Sequence, residues 1–498
     1  MKVVMSMEQQ NHEVLNEGTN KQYLKIKKFH FVMLMFFVVF LTAGITIVAL
    51  AFGDEKAVQV GVVERQEFHK LYDAYDKLKK EYYRPLDEET LINGAIDGMI
   101  EALDDPYSDY MNEEEARRFH ESITSSFEGI GAEIQEQDGF IMIVSPLKNS
   151  PAEKAGLKPN DKILKVDGKS IQGMSVTEAV MLIRGEKGTE VTLTISRPGM
   201  EDTMDVTIVR DTIPLETVYA EMMDHGIAKV QITSFSENTY NELLDALDSM
   251  EEQGMKGLII DLRQNPGGLL DQALKVSNLF VKEGEVLLQI EDRNGKRESY
   301  YAEGGKKVDV PVAVVIDNGS ASASEILAAA VSQSANIPLI GETTFGKGTV
   351  QSAADFSDGS NMKITTAKWL TPNGTWIHEK GIQPDYEVQL PPYANLPYIQ
   401  PDKELKVSTL SKDVKAAEEM LQALGFTPGT VDGYFDEQTE QAVMAFQKEN
   451  ELEPTGVLTG SSTVQLMEQV RQLIIDNDTQ IQKAMELLMT NTSTEENE

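Results

Sequence analysis

The stretch Val310-Pro311-Val312-Ala313-Val314-Val315-Ile316-Asp317-Asn318-Gly319-Ser320-Ala321-Ser322-Ala323-Ser324-Glu325 passes from a run of apolar, mostly β-branched residues through a glycine-containing turn into a helix start. Val310 to Ile316 reads as a buried strand, and Glu325 to Ser332 as a helix. Gly257 to Leu262 is a second strand of the same kind, preceded by a helical pattern over Tyr240 to Glu252. Strands and helices alternate in this way from Ile227 to about Leu390, which predicts an α/β or mixed domain.

Helix starts carry free backbone N–H groups that stabilise an anion, so the turn at Ser322 suits a nucleophile. The plain alternative is that Ser320, Ser322 and Ser324 only cap the helix. A serine nucleophile needs a base, and none of the six histidines lies within fifty residues upstream of Ser322. Lys347 follows the short apolar strand Ile337 to Ile340, in Gly341-Glu342-Thr343-Thr344-Phe345-Gly346-Lys347-Gly348. It serves as a base only where burial or the lack of a counter-charge lowers its pKa, and Gln351 is placed to orient its amine.

A phosphate-binding loop is excluded here. Gly348 stands where the metal-binding hydroxyl belongs, and Thr349 to Gln351 reads as strand rather than helix. For the oxyanion, Asp261-Leu262-Arg263-Gln264-Asn265-Pro266-Gly267-Gly268 ends a strand in glycines whose amides approach a substrate closely, making Gly268 and Ala323 the candidate donors. His378 reads as a turn histidine rather than a base.

Working outward, Phe127 to Arg210 shows short strands and one helix near Val176 to Ile183, a β-rich module. Apolar residues from Phe68 to Tyr82 and from Leu91 to Ile100 recur at helical spacing, in two helices expected to pack on the catalytic unit or a second subunit. The uncharged run Phe31 to Phe52 follows Lys21, Lys25, Lys27 and Lys28 and is long enough for a membrane anchor that leaves the N-terminus cytoplasmic. A cleaved signal peptide is the rival reading. Pro391, Pro392, Pro397 and Pro401 mark an extended linker, and Thr490 to Glu498 has the composition of a disordered tail.

The segments Asp261 to Leu269, Ser320 to Glu325 and Phe345 to Gln351 together resemble the C-terminal processing peptidases, or tail-specific proteases, as do Asp105-Pro106-Tyr107-Ser108 and Gly381-Ile382-Gln383-Pro384-Asp385. The resemblance implies a serine endopeptidase with Ser322 as nucleophile, Lys347 as general base, Gln351 positioning the lysine, and the amides of Gly268 and Ala323 in the oxyanion hole. The β-rich module resembles a PDZ domain whose loop Gly129-Ile130-Gly131-Ala132 binds a terminal carboxylate, so the partners implied are proteins or peptides with apolar C-termini. Arg184, at the end of the module's helix, reads as a solvated surface arginine, with a contact to the catalytic unit as the alternative. Val414 to Gln422, Gly425-Phe426, Asp432 to Phe435 and Ala442 to Gln447 resemble a three-helix peptidoglycan-binding module.

The expected organisation is therefore multidomain α+β and α/β: a cytoplasmic segment (1–30), a transmembrane anchor (31–52), an amphipathic helical region (53–115), a PDZ domain (116–211), a Ser/Lys protease core (212–390), a linker (391–405), a peptidoglycan-binding helical bundle (406–474) and a tail (475–498). A net charge of -36 disfavours nucleic acid and anionic lipid surfaces as partners. The absence of cysteine leaves an oxygen nucleophile, and no cofactor or metal site is expected. The expected location is the cell membrane, single-pass, with the catalytic part extracytoplasmic, and a homodimer is the expected assembly. A catalytically silent PDZ and wall-binding scaffold is the competing reading; it predicts a broken Ser/Lys pair, and both residues are present.

Overall fold

In a computed structural model, residues 33, 35–42, 65–137, 139–200 and 202–495 are described. Most of the expected anchor lies outside them. Residues 35–42 are helical, and among the described residues no helix is long and apolar enough to cross a membrane.

Strand Val312–Ile316 runs parallel to Gly257–Asp261 on one side and Leu339–Gly341 on the other. Ile227–Ile232 and Tyr386–Glu387 extend this sheet in parallel, and Val218–Met222 closes one edge in antiparallel pairing, making six strands. The central strands Gly257–Asp261, Val312–Ile316 and Leu339–Gly341 are buried on both faces and are near-continuous apolar runs. Period-two alternation sends Val230, Ile260, Val314 and Ile316 to one face, under helices Thr239–Glu252, Leu270–Ser277 and Ala323–Ala335. Ile227, Ile259, Ala313, Val315 and Ile340 face the other way.

That second face is covered by helix Thr479–Glu495 through Ile481, Ala484 and Leu488, each buried. The first part of the expected disordered tail, Thr490 to Glu495, is the end of this helix. Upstream of it, Ile481 and Leu488 each contribute roughly 1.5–3 kcal/mol of burial. A second sheet is built on Asn361–Leu370, which pairs with Asp109–Met111, Thr349–Asp355 and Val286–Asp292.

Between the two parts of the catalytic unit in sequence, strands Ala132–Gln137, Phe140–Pro146, Lys162–Val166, Glu190–Ser196 and Met204–Val209 form a separate sheet with helix Val176–Ile183 and their own apolar core. Helices Lys412–Ala423, Glu437–Glu449 and Ser461–Asp476 enclose a third core around Phe435, Phe446 and Leu466. The expected linker is partly absorbed into it. Ile399 is fully buried there, and Tyr393 and Leu396 pack alongside, because the prolines are interleaved with apolar residues that have a core to join.

The described residues up to Leu91 belong to a unit distinct from the one that begins at Ile92. Within it no residue of helix His69–Glu81 is buried, so Leu71, Tyr72 and Leu78 are exposed in the single chain. The helices themselves fall where the apolar spacing predicts.

Candidate active site

Ser322 precedes the first turn of Ala323–Ala335 with φ 54° and ψ -110°, a conformation that costs a residue other than glycine on the order of 1–3 kcal/mol. The surroundings hold it there. The N–H of Ala321 donates to the carbonyl of Asn265 at 3.0 Å. The hydroxyl of Ser320 donates to the Leu262 carbonyl at 2.8 Å, and that of Ser324 to the Asn265 carbonyl at 2.9 Å. Both flanking serines are fully buried. They do not cap their own helix; they stitch the serine turn to the glycine turn and leave the Ser322 side chain half-buried at a sharp strand-to-helix bend.

The glycine turn needs its glycines. Gly267 (φ +103°) and Gly268 (φ +142°) lie in backbone regions that side chains avoid. A Cβ on Gly268 would sit 2.1 Å from the Phe235 carbonyl oxygen, and one on Gly267 would sit 2.8 Å from Ser322 Cβ and 2.9 Å from the Ala323 nitrogen. This turn is therefore pressed directly against the serine turn. The N–H groups of Gly268 and Ala323 donate to no acceptor among the described residues, whereas that of Gly267 is taken by Asn265 Oδ1 at 2.9 Å. Two adjoining turns thus present uncommitted donors beside one hydroxyl.

Glu325 was missed by sequence reasoning as a site residue. Fully buried, it accepts four hydrogen bonds: the N–H of Ser322 (2.8 Å) and of Lys347 (2.8 Å) on Oε2, and the Thr344 hydroxyl (2.6 Å) and Gly346 N–H (2.7 Å) on Oε1. It fastens the serine turn to the lysine loop. A glutamate three residues past a helix cap signals a capping box, and only the bonds to Thr344, Gly346 and Lys347 reveal the longer reach.

Lys347 is half-buried, with its ammonium over the ring of Tyr107 at 5.0 Å from the centroid. Its pKa is lowered, first by burial and then by the positive charge of Lys363, against the opposing pull of Asp105 and Glu325. Gln351 lies in strand Thr349–Asp355, where its amide donates to the hydroxyls of Thr349 (2.9 Å) and Thr365 (3.2 Å). Among the described residues no hydrogen bond joins the Lys347 amine to Ser322 or to Gln351. His378 stacks on Trp376 at 5.1 Å and lies edge-on to Tyr107 at 6.0 Å, in the structural setting expected of it. Lys347 is followed by strand Thr349–Asp355, as the sequence predicts for Thr349 to Gln351.

In the β-rich module, Ala132–Gln137 pairs among the described residues only with Phe140–Pro146, leaving an open sheet edge. The loop before it places Gly131 at φ +71°, and a Cβ there would lie 2.6 Å from Ser150 Cβ. The N–H groups of Ile130 and Gly131 donate to no protein acceptor among the described residues. Arg184 is not a freely solvated arginine. It pairs with Glu121 at 2.8 Å and lies over the Phe127 ring, because helix Glu113–Thr124 passes beneath the module's helix end.

Four segments of the chain match known family models. Residues 226–388 match peptidase family S41, 142–197 match a PDZ domain, 411–467 a peptidoglycan binding domain, and 49–115 the activating protease CtpB N-terminal domain. The chain is 50% identical over 458 residues to the carboxy-terminal processing protease CtpA of Bacillus subtilis (strain 168), covering 91% of this chain and 98% of that protein. It is 44% identical to CtpB of the same organism, covering 85% and 89%. A solved structure of the photosystem II D1 C-terminal processing protease is 30% identical over 66% of this chain and 88% of that one, with a TM-score of 0.39. With the serine and glycine turns inside the matched peptidase segment, and near-complete coverage of a relative half identical in sequence, the chain belongs to the carboxy-terminal processing proteases of peptidase family S41, which are serine-type peptidases.

Proposed function

We propose that the protein is a membrane-anchored, extracytoplasmic endopeptidase that captures protein C-terminal tails on its PDZ domain and cleaves peptide bonds with Ser322 and Lys347. The observation that carries this reading is the Ser322 turn: a strained serine with the uncommitted N–H groups of Gly268 and Ala323 beside it. In this mechanism Ser322 Oγ attacks the scissile carbonyl carbon while its proton passes to the neutral Lys347 amine. Gly268 and Ala323 donate to the oxyanion, removal of one such donor typically costing about 10²–10³ in rate. The intermediate collapses to an acyl-enzyme as the lysine returns the proton to the leaving amine. Water then attacks the ester, with the lysine again taking and giving one proton.

Burial supports Lys347 as base, since it favours the uncharged amine. Reaching Ser322 requires the lysine to turn off the Tyr107 ring, with Gln351 released from Thr349 and Thr365 to steady the amine. Tail capture rests on the amides of the Gly129-Ile130-Gly131-Ala132 loop and the open edge at Ala132–Gln137. The peptidoglycan-binding module fits a placement beside the cell wall, and Phe31 to Phe52 supplies the anchor. Purified Ser322→Ala protein, incubated with a folded substrate bearing an apolar tail, tests this by mass spectrometry. Loss of all cleavage with the fold intact is the expected result, and retained cleavage overturns the assignment.

A further inference from the structure

The chain leaves the catalytic unit and returns to it at one point. The hydroxyl of Thr479 donates to the Gln389 carbonyl at 2.7 Å, and the amide of Gln480 to the Val388 carbonyl at 2.8 Å. Everything between, including the three-helix module, is an insertion whose ends adjoin. The match to the peptidase family stops at residue 388 and that to the peptidoglycan binding domain at 467, so neither assigns a role to the helix that follows.

At this junction the guanidinium of Arg263 is enclosed. It bonds both Asp261 oxygens at 2.9 and 2.7 Å, Asp478 Oδ2 at 2.8 Å and Gln480 Oε1 at 3.0 Å, with its side chain 14% exposed. Asp261 and Gln480 are buried. Arg263 opens the glycine turn. The next residue, Gln264, holds the left-handed φ of 57° with its N–H and side-chain amide on Asp317, and Asn265 and Gly268 follow. A strained turn stays in place only if its flanks are held, and one flank is held by residues that lie more than two hundred positions later in the chain.

We propose that Asp478, with Gln480, is a positioning residue for the peptidase: gripping Arg263, it sets the place of the Asn265–Gly268 turn and hence of the oxyanion donor on Gly268. The proposal rests on the oxyanion role given to Gly268 above. Asp478 touches no reacting atom and acts through Arg263. Misplacing a catalytic donor by about 1 Å costs on the order of 10²-fold in rate.

Asp478 also caps its helix, Oδ1 accepting the N–H groups of Gln480 (3.1 Å) and Ile481 (3.0 Å). Asn serves as a cap as well as Asp does. Asp478→Asn therefore keeps the cap and sets an amide against the guanidinium, which separates helix docking from the grip on Arg263. In the full-length chain, Asp478→Asn is expected to lower kcat by about tenfold or more with KM within twofold, and to speed amide exchange in peptides covering 264–268. Arg263→Lys, which keeps the charge but not the fork, gives the same pattern and serves if the first variant folds poorly. Wild-type kcat in either folded variant, or unchanged exchange at 264–268 in both, overturns the proposal. Ser322→Ala is run in parallel: activity in it would refute the nucleophile, while the exchange rates still report on the grip.

Discussion

The backbone N–H of Ser322 and the backbone N–H of Lys347 meet on a single oxygen, Oε2 of Glu325, each at 2.8 Å. The serine turn and the lysine loop are thereby fixed to one buried carboxylate, although the two side chains make no direct hydrogen bond. In the proposed mechanism this carboxylate sets the backbone separation of Ser322 and Lys347, and side-chain rotation must bring the amine onto the hydroxyl.

Replacing Glu325 with Gln tests this fastening. An amide turns its NH2 either toward the N–H groups of Ser322 and Lys347, losing both bonds, or toward Thr344 and Gly346, losing that of Gly346 while the Thr344 hydroxyl reverses to accept. Hydrogen bonds to a charged group contribute about 1.5–3 kcal/mol each, so at least one is lost and the charge is lost from the rest. We expect Glu325→Gln to lower kcat by on the order of 10²-fold or more and to lower the melting temperature of the catalytic unit. Differential scanning calorimetry alongside cleavage assays checks both, and wild-type values in each would show the staple to be dispensable.

The pH dependence follows from the lowered pKa of Lys347. The base form is the neutral amine, so kcat/KM is expected to rise with pH through the folded-state pKa and then level off. Stability carries the same sign: the folded lysine binds its proton less tightly than the unfolded one, so stability rises as pH climbs from below the folded pKa toward the unfolded value of about 10.4. Lys347→Met, which removes the buried ammonium, should abolish cleavage while raising the melting temperature near neutral pH. A falling melting temperature would mean that the Tyr107 contact outweighs the burial penalty.

Gly268→Ala places a methyl group where the Phe235 carbonyl oxygen stands 2.1 Å away, at a φ that alanine avoids. The turn must move, and its N–H moves with it. A loss of about 10²–10³ in kcat is expected with KM for a short peptide little changed, the signature of a donor used in the transition state. Steady-state kinetics on the folded variant decides the point, and a change confined to KM would argue for substrate contact instead.

Tail recognition is tested on the PDZ loop. Amidating a substrate's C-terminus replaces a charge-assisted acceptor with a neutral one, and we expect roughly tenfold weaker binding by calorimetry. Gly131→Ala should weaken binding of the free-acid tail as well, since the new Cβ would lie 2.6 Å from Ser150 Cβ. Equal affinity for acid and amide would remove the carboxylate from the recognition scheme.

Much of this was legible along the chain because the signals are local. Continuous apolar runs rich in β-branched residues marked Val312–Ile316 and Gly257–Asp261 as strands, Val176–Ile183 was marked as a helix, and the glycine and serine turns announced themselves by composition. What the sequence by itself determined is the inventory: which segments fold, which family they resemble, and that an oxygen nucleophile must do any nucleophilic work. Only the tertiary structure decided how the parts are held. Glu325 reads as a helix cap until Lys347, 22 residues on, is seen on the same oxygen. Ser320 and Ser324 read as caps until their hydroxyls are found on the loop near residue 262. The end of the final helix reads as a polar tail because Thr490 to Glu498 holds no apolar residue. A helix with one narrow apolar stripe is stable only against a face that needs covering, and the alternation of Ile259, Ala313 and Val315 supplies that face from strands far away in the chain.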